Sequence, residues 1–273
     1  MGDFWQRTKK FWLTDINKDN PEKPSMKIVW AIMYFALTVC VLVASCFIFN
    51  KVYYTFFYVE GYSMSPTLNY NMKPGYHDFG IVDSHRSIFN TLKRYDIVIT
   101  YYPDDIKNDE GDIKEYATSK IKRVIGMPNE KVTISNKQGL RPDGTSGKYN
   151  EIVVSTPISL NGETTYKDET LYLPFFDKIT PDMQFNWAGI SPAINEMGGD
   201  GSYTWTLNDN EYFVMGDNWG HSTDSTAKHV GAIEREYMTG VLIAINGQCQ
   251  ITGSGENARA INKVFSGPTY YKR

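Results

Sequence analysis

Residues 28–49 read IVWAIMYFALTVCVLVASCFIF, and no charge interrupts them. At about 1.5 Å of rise per residue, a helix of this length reaches roughly 33 Å, enough to cross a hydrocarbon core of about 30 Å. The plain alternative is a buried helix of a soluble protein, but such helices are seldom apolar all round over their whole length. A cleaved secretory signal has a shorter apolar core followed by an A-x-A-like site, and no such site follows here. Val43-Ala44-Ser45-Cys46 resembles a lipobox, yet the apolar run continues past Cys46 through Phe47, Ile48 and Phe49. The expectation is one transmembrane helix over 28–49.

The flanks orient it. Residues 1–27 hold Arg7, Lys9, Lys10, Lys18, Lys23 and Lys27, whereas 50–70 hold only Lys51. The positive-inside rule then makes 1–27 a cytoplasmic stub and puts residues 50–273 on the outer face of the plasma membrane. With six basic and four acidic residues in the stub, 22 basic and 27 acidic remain, a formal charge of -5 that gives the outer part no general attraction to anionic lipid. No long basic run occurs, which argues against nucleic acid as a partner. Phe4, Trp5, Phe11 and Trp12 recur around Arg7, Lys9 and Lys10, a pattern that suits either a short interfacial helix or a disordered tail. The three cysteines, Cys40, Cys46 and Cys249, form no C-x-x-C pair, and no H-E-x-x-H occurs, so a zinc hydrolase is poorly supported.

Beyond residue 50 the chain reads as strands and turns. The β signals are 56–59, 95–102 (YDIVITYY), 131–134, 151–154 and 212–215, rich in β-branched and aromatic residues. Asp143-Gly144 and Asn161-Gly162 suit tight hairpins, because these residues tolerate positive φ. Gly198-Gly199-Asp200-Gly201 marks a loop. The polar, turn-rich stretch 135–208 reads as a β-rich insertion between two parts of one domain, 50–134 and 209–273.

Three segments carry possible chemistry. In Glu60-Gly61-Tyr62-Ser63-Met64-Ser65-Pro66-Thr67-Leu68, a serine sits between a glycine and a proline turn. It nearly matches G-x-S-x-G, but the second glycine and the strand–elbow–helix context are missing. In Ser119-Lys120-Ile121-Lys122-Arg123-Val124-Ile125-Gly126-Met127-Pro128, a strand pattern places Lys120 and Lys122 on one face. S-x-x-K is present there, without the S-D-N or K-T-G that accompany it in penicillin-binding enzymes. Met215-Gly216-Asp217-Asn218-Trp219-Gly220-His221-Ser222-Thr223-Asp224-Ser225 follows a strand and holds two acids and two serines. Any one of these is compatible with an ordinary turn, a solvated strand face or a polar loop.

Together they resemble the boxes of the type I signal peptidases (leader peptidases): Ser-Met-x-Pro-Thr-Leu, Lys-Arg-Val-Ile-Gly-Met-Pro, then Gly-Asp-Asn followed by Ser-x-Asp-Ser. The preceding anchor and the Leu160-Asn161-Gly162 and Tyr172-Leu173 pairs add to the likeness, which is closest to the single-anchor forms of Gram-positive bacteria. The resemblance implies a mainly β fold, with a single N-terminal transmembrane helix followed by an antiparallel catalytic sheet and a β-rich insertion. It implies Ser63 as nucleophile and Lys122 as general base. Ser222 would orient the lysine, Asp224 would support its loop, and Asp217 would pair with Arg123. The Ser63 N–H would help to form the oxyanion hole. Some relatives add a serine hydroxyl where Gly61 stands, which Gly61 cannot supply. The family often has glycine where this chain has Tyr95, and arginine where it has Trp219 and Thr226, which removes a partner for Asp224.

The chemistry needs these residue types. A serine hydroxyl attacks only when a neighbour takes its proton, and lysine can do so only when neutral. At a reference pKa of about 10.4, only about one lysine in 2,500 is neutral at pH 7. Burial can lower that pKa by about 3–5 units, and Ile121, Val124 and Ile125 are compatible with such a site. No metal or organic cofactor is required. The implied partners are the lipid bilayer and the cleavage regions of exported preproteins, with small residues before the scissile bond, bound extended at a sheet edge. The aromatic stretch 53–58 would hold the site at the interface, unless those rings are core. Alternatives are a specialised pilin-processing peptidase, a non-catalytic surface-assembly factor on the same fold, and a self-cleaving repressor-type protease. The last usually carries a DNA-binding part and lacks a membrane span.

Overall fold

The computed structural model describes residues 26–70, 72–85, 92–106, 118–190, 202–253 and 258–270. The chain divides into two compact units, Met1–Val52 and Tyr53–Arg273. The described part of the first is helix α1 (Met26–Tyr53), whose last residue opens the second unit. Within it, Ile28–Phe49 is long and apolar enough to cross a membrane, and none of this span is buried by the protein. Its two aliphatic hydroxyls are satisfied inside the helix: Thr38 Oγ1 donates to the Tyr34 carbonyl and Ser45 Oγ to that of Val41, both at 2.8 Å. A helix surrounded by hydrocarbon has no water to do this. The lipobox-like stretch 43–46 lies inside the unbroken helix. The aromatic and basic pattern of the N-terminal stub falls outside the described residues.

The second unit is mainly antiparallel β. Its larger sheet contains β1 (Tyr54–Tyr58), β2 (Tyr76–Asp83), β3 (Ile97–Thr100) and β4 (Lys120–Gly126). A four-residue helix, α2 (Pro103–Ile106), follows β3. A second sheet, β5 (Lys131–Leu140), β6 (Ser146–Leu160), β7 (Glu163–Thr170) and β8 (Ser202–Thr206), runs in the order β7-β6-β5-β8. The chain then returns to the larger sheet as β9 (Glu211–Met215), β10 (Ile233–Glu234), β11 (Met238–Thr252) and β12 (Arg259–Tyr270). The order there is β1-β2-β11-β3-β4-β9-β10, with β12 paired to β11.

Local chemistry explains several boundaries. The expected strand over 95–102 shortens to Ile97–Thr100. Tyr95 has φ 72°, outside the β region, and Pro103 opens α2. The hairpin between β6 and β7 turns at Asn161 (φ 54°) and Gly162 (φ 85°), as an Asn-Gly pair favours. After β4, the Glu130 carboxylate closes the turn by accepting from the Met127 N–H at 2.7 Å, and it binds Arg94 through both oxygens. The Gly198–Gly201 loop lies outside the described residues. The longest strand of the larger sheet, β11, carries no clean alternation. It breaks register against β2 between Leu242 and Ala244 and again between Ile245 and Gly247. Such bulges bend a sheet, and at this one Gly80 comes so close that a Cβ would meet the Ala244 carbonyl.

Among the described residues, three apolar clusters form the core. One joins β5 and β6 (Val132, Ile134, Ile152, Val154) to Phe213 and Met215 of β9. A second gathers Val98, Val214, Ile233 and Met238. The third holds Val59, Met64, Leu68, Ile97 and Ile99. Strand β4 serves all three: Ile121 belongs to the third, Val124 to the second and Ile125 to the first. At its end a Cβ on Gly126 would press on Val132, Leu207 and Phe213. Gly126→Ala is therefore expected to cost about 1–3 kcal/mol by overpacking, read as a lower urea midpoint of the detergent-solubilised chain.

Candidate active site

Residues 61–68 form a compact turn directly after β1. The Ser65 N–H donates to the Tyr62 carbonyl at 3.0 Å, and those of Thr67 and Leu68 to the Met64 carbonyl at 2.8 and 2.9 Å. The Ser65–Pro66 peptide is cis. Met64 and Leu68 are completely buried and anchor the turn, which leaves Ser63 half-buried at its start. Asn69 ties the turn back: its side-chain amide donates to the carbonyls of Val59 and Gly61, at 2.5 and 2.9 Å.

Lys122 comes from β4, where it pairs with Val98 of β3. On the other side, the ladder with β9 begins one residue later, at Arg123↔Met215. The gap beside Lys122 is filled by the loop after Met215, and Ser63 enters there. Lys122 Nζ lies 2.7 Å from Ser63 Oγ. The lysine is only 4% exposed. Burial pushes its pKa down to about 8, partly opposed by the Asp224 carboxylate; the Lys120 charge lowers it further and Asp217 raises it. Lys120 itself is half-exposed and pairs with Asp105 at 3.6 Å.

The loop after β9 holds the two together. A Cβ on Gly216 would collide with the Ser63 carbonyl and the Ser222 side chain, so only glycine lets these three segments meet. The Asn218 N–H donates to the Ser63 carbonyl at 3.0 Å, and its side-chain amide to that of Tyr62 at 3.1 Å. Asp217 pairs with Arg123, which donates to Oδ1 through Nε at 2.8 Å and to Oδ2 through Nη2. Thr67 joins them: its hydroxyl donates to Asp217 Oδ2 and accepts from Arg123 Nη2 at 3.2 Å. Arg123 Nη1 donates to the Tyr95 carbonyl at 3.0 Å.

Asp224 finds partners without an arginine. One carboxylate oxygen accepts from the Gly216 N–H at 2.9 Å, the other from the Thr226 N–H and hydroxyl at 3.2 and 2.8 Å. Ser222 differs from the expectation. Its Oγ is buried beside Gly216 and makes no hydrogen bond, so the bond to the lysine amine is absent and Lys122 Nζ is turned to Ser63 instead. Ser225 is structural: it exchanges hydrogen bonds with Val214, its N–H donating to the carbonyl and its Oγ accepting from the N–H, both at 3.0 Å. Gly61 is exposed, and a Cβ there would meet nothing within 4 Å. Sequence reasoning gave no role to Thr67, Asn218 or Gly216. All three stand inside the quoted boxes, where the backbone-like bonds they make have no residue-type signature.

A hydroxyl 2.7 Å from a buried amine whose pKa is depressed is an arrangement in which the amine can take the hydroxyl's proton. The model of the family described as signal peptidase, peptidase S26, matches residues 28–245, and the chain belongs to that family. It is accordingly a peptidase whose substrates are preproteins. No curated protein matches the chain.

The Arg123–Asp217 pair is almost wholly buried. Removing one partner strands a charge in the interior, at about 3–5 kcal/mol. Arg123→Met and Asp217→Leu are each expected to lower stability by that order, and the double variant by less than the two together, as a double-mutant cycle of urea midpoints would read.

Proposed function

We propose that the protein removes N-terminal signal peptides from exported preproteins by a Ser63–Lys122 dyad, cutting after small residues of the A-x-A type. The contact of 2.7 Å between Lys122 Nζ and Ser63 Oγ is the observation that carries this reading. It lies within the reach required of a base and its nucleophile. With the amine neutral, the Ser63 hydroxyl donates to Nζ. As Oγ attacks the scissile carbonyl, Nζ takes the proton, and the Ser63 N–H steadies the oxyanion. Lys122 then returns the proton to the leaving amine, and water releases the acyl group from Ser63. Asp224 supports the loop through Gly216 and Thr226. The division into a catalytic part, 50–134 and 209–273, and an insertion, 135–208, belongs to this reading. So do the Gram-positive single-anchor type, a cytoplasmic N-terminus and a site outside the plasma membrane. Ser63 lies ten positions beyond the end of α1 in the chain.

Purified wild type is expected to cleave a labelled preprotein with an A-x-A site, and Ser63→Ala and Lys122→Met to lose at least about 10³-fold in kcat. Cleavage that survives Ser63→Ala would overturn the assignment. The cleavage rate should rise with pH and level off above about 8, as the Lys122 amine loses its proton. Stability follows the same sign. The folded pKa lies below the unfolded one, so the buried amine costs about 3 kcal/mol near neutrality, and the cost fades between about pH 8 and 10.5. Lys122→Met should therefore raise Tm by several degrees at pH 7 while abolishing cleavage, and the gain should shrink at pH 10. Gly61→Ser has room for a second oxyanion donor. An increase in kcat is expected, of up to about 10²-fold, the scale lost when such a donor is removed.

A further inference from the structure

The stretch that follows β7 packs behind the loop that carries Asp217 and Asn218. Trp219 of that loop is buried. Its ring meets those of Phe175, Phe176, Phe185 and Trp187, with centroids 5.5 to 6.5 Å apart, separations at which rings attract edge to face. Its Nε1 makes no hydrogen bond among the described residues, so ring packing alone seats it. The backbones meet as well. A turn closes at residues 186–189, where the Gly189 N–H donates to the Asn186 carbonyl at 3.0 Å. A Cβ on Gly189 would come 2.8 Å from the Gly220 nitrogen and 3.0 Å from the Trp219 carbonyl carbon, backbone atoms that cannot swing aside. Glycine is required there by close approach.

This turn is itself fixed to β6. The Asn150 N–H donates to the Trp187 carbonyl at 2.7 Å, and the Asn150 side-chain carbonyl accepts from the Ile190 N–H at 3.0 Å. Trp187 Nε1 donates to Asp143 Oδ2 at 3.0 Å. From the turn to Ser63 the path is short. Asn218, which precedes Trp219, donates its N–H to the Ser63 carbonyl at 3.0 Å and its side-chain amide to the Tyr62 carbonyl at 3.1 Å. A shift of Trp219 and Gly220 therefore shifts the two bonds that seat Ser63.

We propose that the turn at residues 186–190, wedged against Trp219 and Gly220, is a positioning element for Ser63, with Trp219 as the positioning residue that transmits it through Asn218. The proposal rests on the Ser63–Lys122 reading of the site. It makes the stretch 171–190 part of the frame of that site rather than an appendage to it.

The test uses the full chain in detergent, as wild type, Gly189→Ala, Trp219→Phe and Trp219→Leu, with Thr164→Ala on the exposed strand β7 as a control. Near-ultraviolet circular dichroism and thermal melting show that each is folded. Hydrogen exchange is read over residues 216–222 and over β2, and cleavage of a labelled A-x-A preprotein gives kcat and KM. Gly189→Ala should exchange several-fold faster over 216–222 with β2 unchanged, a local opening. Its kcat should fall by about 10–10²-fold with KM within about two-fold of wild type, the cost of misplacing a reacting group by about 1 Å. Trp219→Phe, which keeps a ring, should retain most of kcat, and Trp219→Leu should not; this pair gives the answer if the Gly189 variant does not fold. Thr164→Ala should match wild type. Unchanged exchange over 216–222 with unchanged kcat in folded Gly189→Ala overturns the proposal. So does a loss carried by KM alone, and so does faster exchange spread evenly over the loop and β2, which is a general loss of stability. A wild type that cleaves no preprotein overturns the catalytic reading alone, and the exchange pattern then decides whether the turn holds the loop.

Discussion

The buried pair of Arg123 and Asp217, closed by the Thr67 hydroxyl, is the constraint on which the site depends. Each member comes from a different stretch: the turn after β1, strand β4 and the loop after β9. Each neighbours a residue of the proposed chemistry. Arg123 follows Lys122, Asp217 follows Gly216, and Thr67 closes the turn that Ser63 opens. Fixing these three side chains to one another fixes the spacing of serine, lysine and loop without touching the reacting atoms. A buried ion pair is often no more stabilising than an apolar replacement, and its best-attested use is to specify one arrangement. Here that arrangement is the meeting of Ser63 with Lys122.

The positions where the chain departs from its family have physical accounts. Tyr95 adopts a left-handed φ that favours glycine, and its carbonyl is held by Arg123. The ring packs against the cluster that joins the two sheets, contact that offsets the strain of a left-handed tyrosine. Trp219 is buried edge-on among Phe175, Phe176 and Trp187, so the loop that carries Asp217 is anchored by aromatic packing. Thr226 supplies Asp224 with the donors that an arginine would have brought. The loop is fastened here by rings and a hydroxyl.

Much of this was legible in the sequence. The apolar run, the strand at β4 and the hairpin at Asn161-Gly162 follow from hydropathy, β-branching and turn chemistry, and the residues of the three boxes from the resemblance to the family. Strands β2, β8, β10, β11 and β12 were among those that escaped. The bulges of β11 break the two-residue alternation that a strand reading needs, and β12 shows the same open faces on both sides. Burial of Lys122 could be argued only from its neighbours. Ile121, Val124 and Ile125 proved to face three different clusters rather than one pocket. The isolation of the Ser222 hydroxyl has no sequence signal, because it arises from where Gly216 places the loop.

That β4 is a wall of all three clusters has a consequence for how the molecule can fail. A strand shared by every core cannot melt with one of them alone, since loosening any cluster frees one of its sides. The lysine in the middle of that strand is then a sensor of the whole unit. Its proton affinity, set by dehydration, should jump back toward that of free lysine when any of the three gives way. Such a molecule loses the meeting of Ser63 with Lys122 as a unit rather than piecemeal.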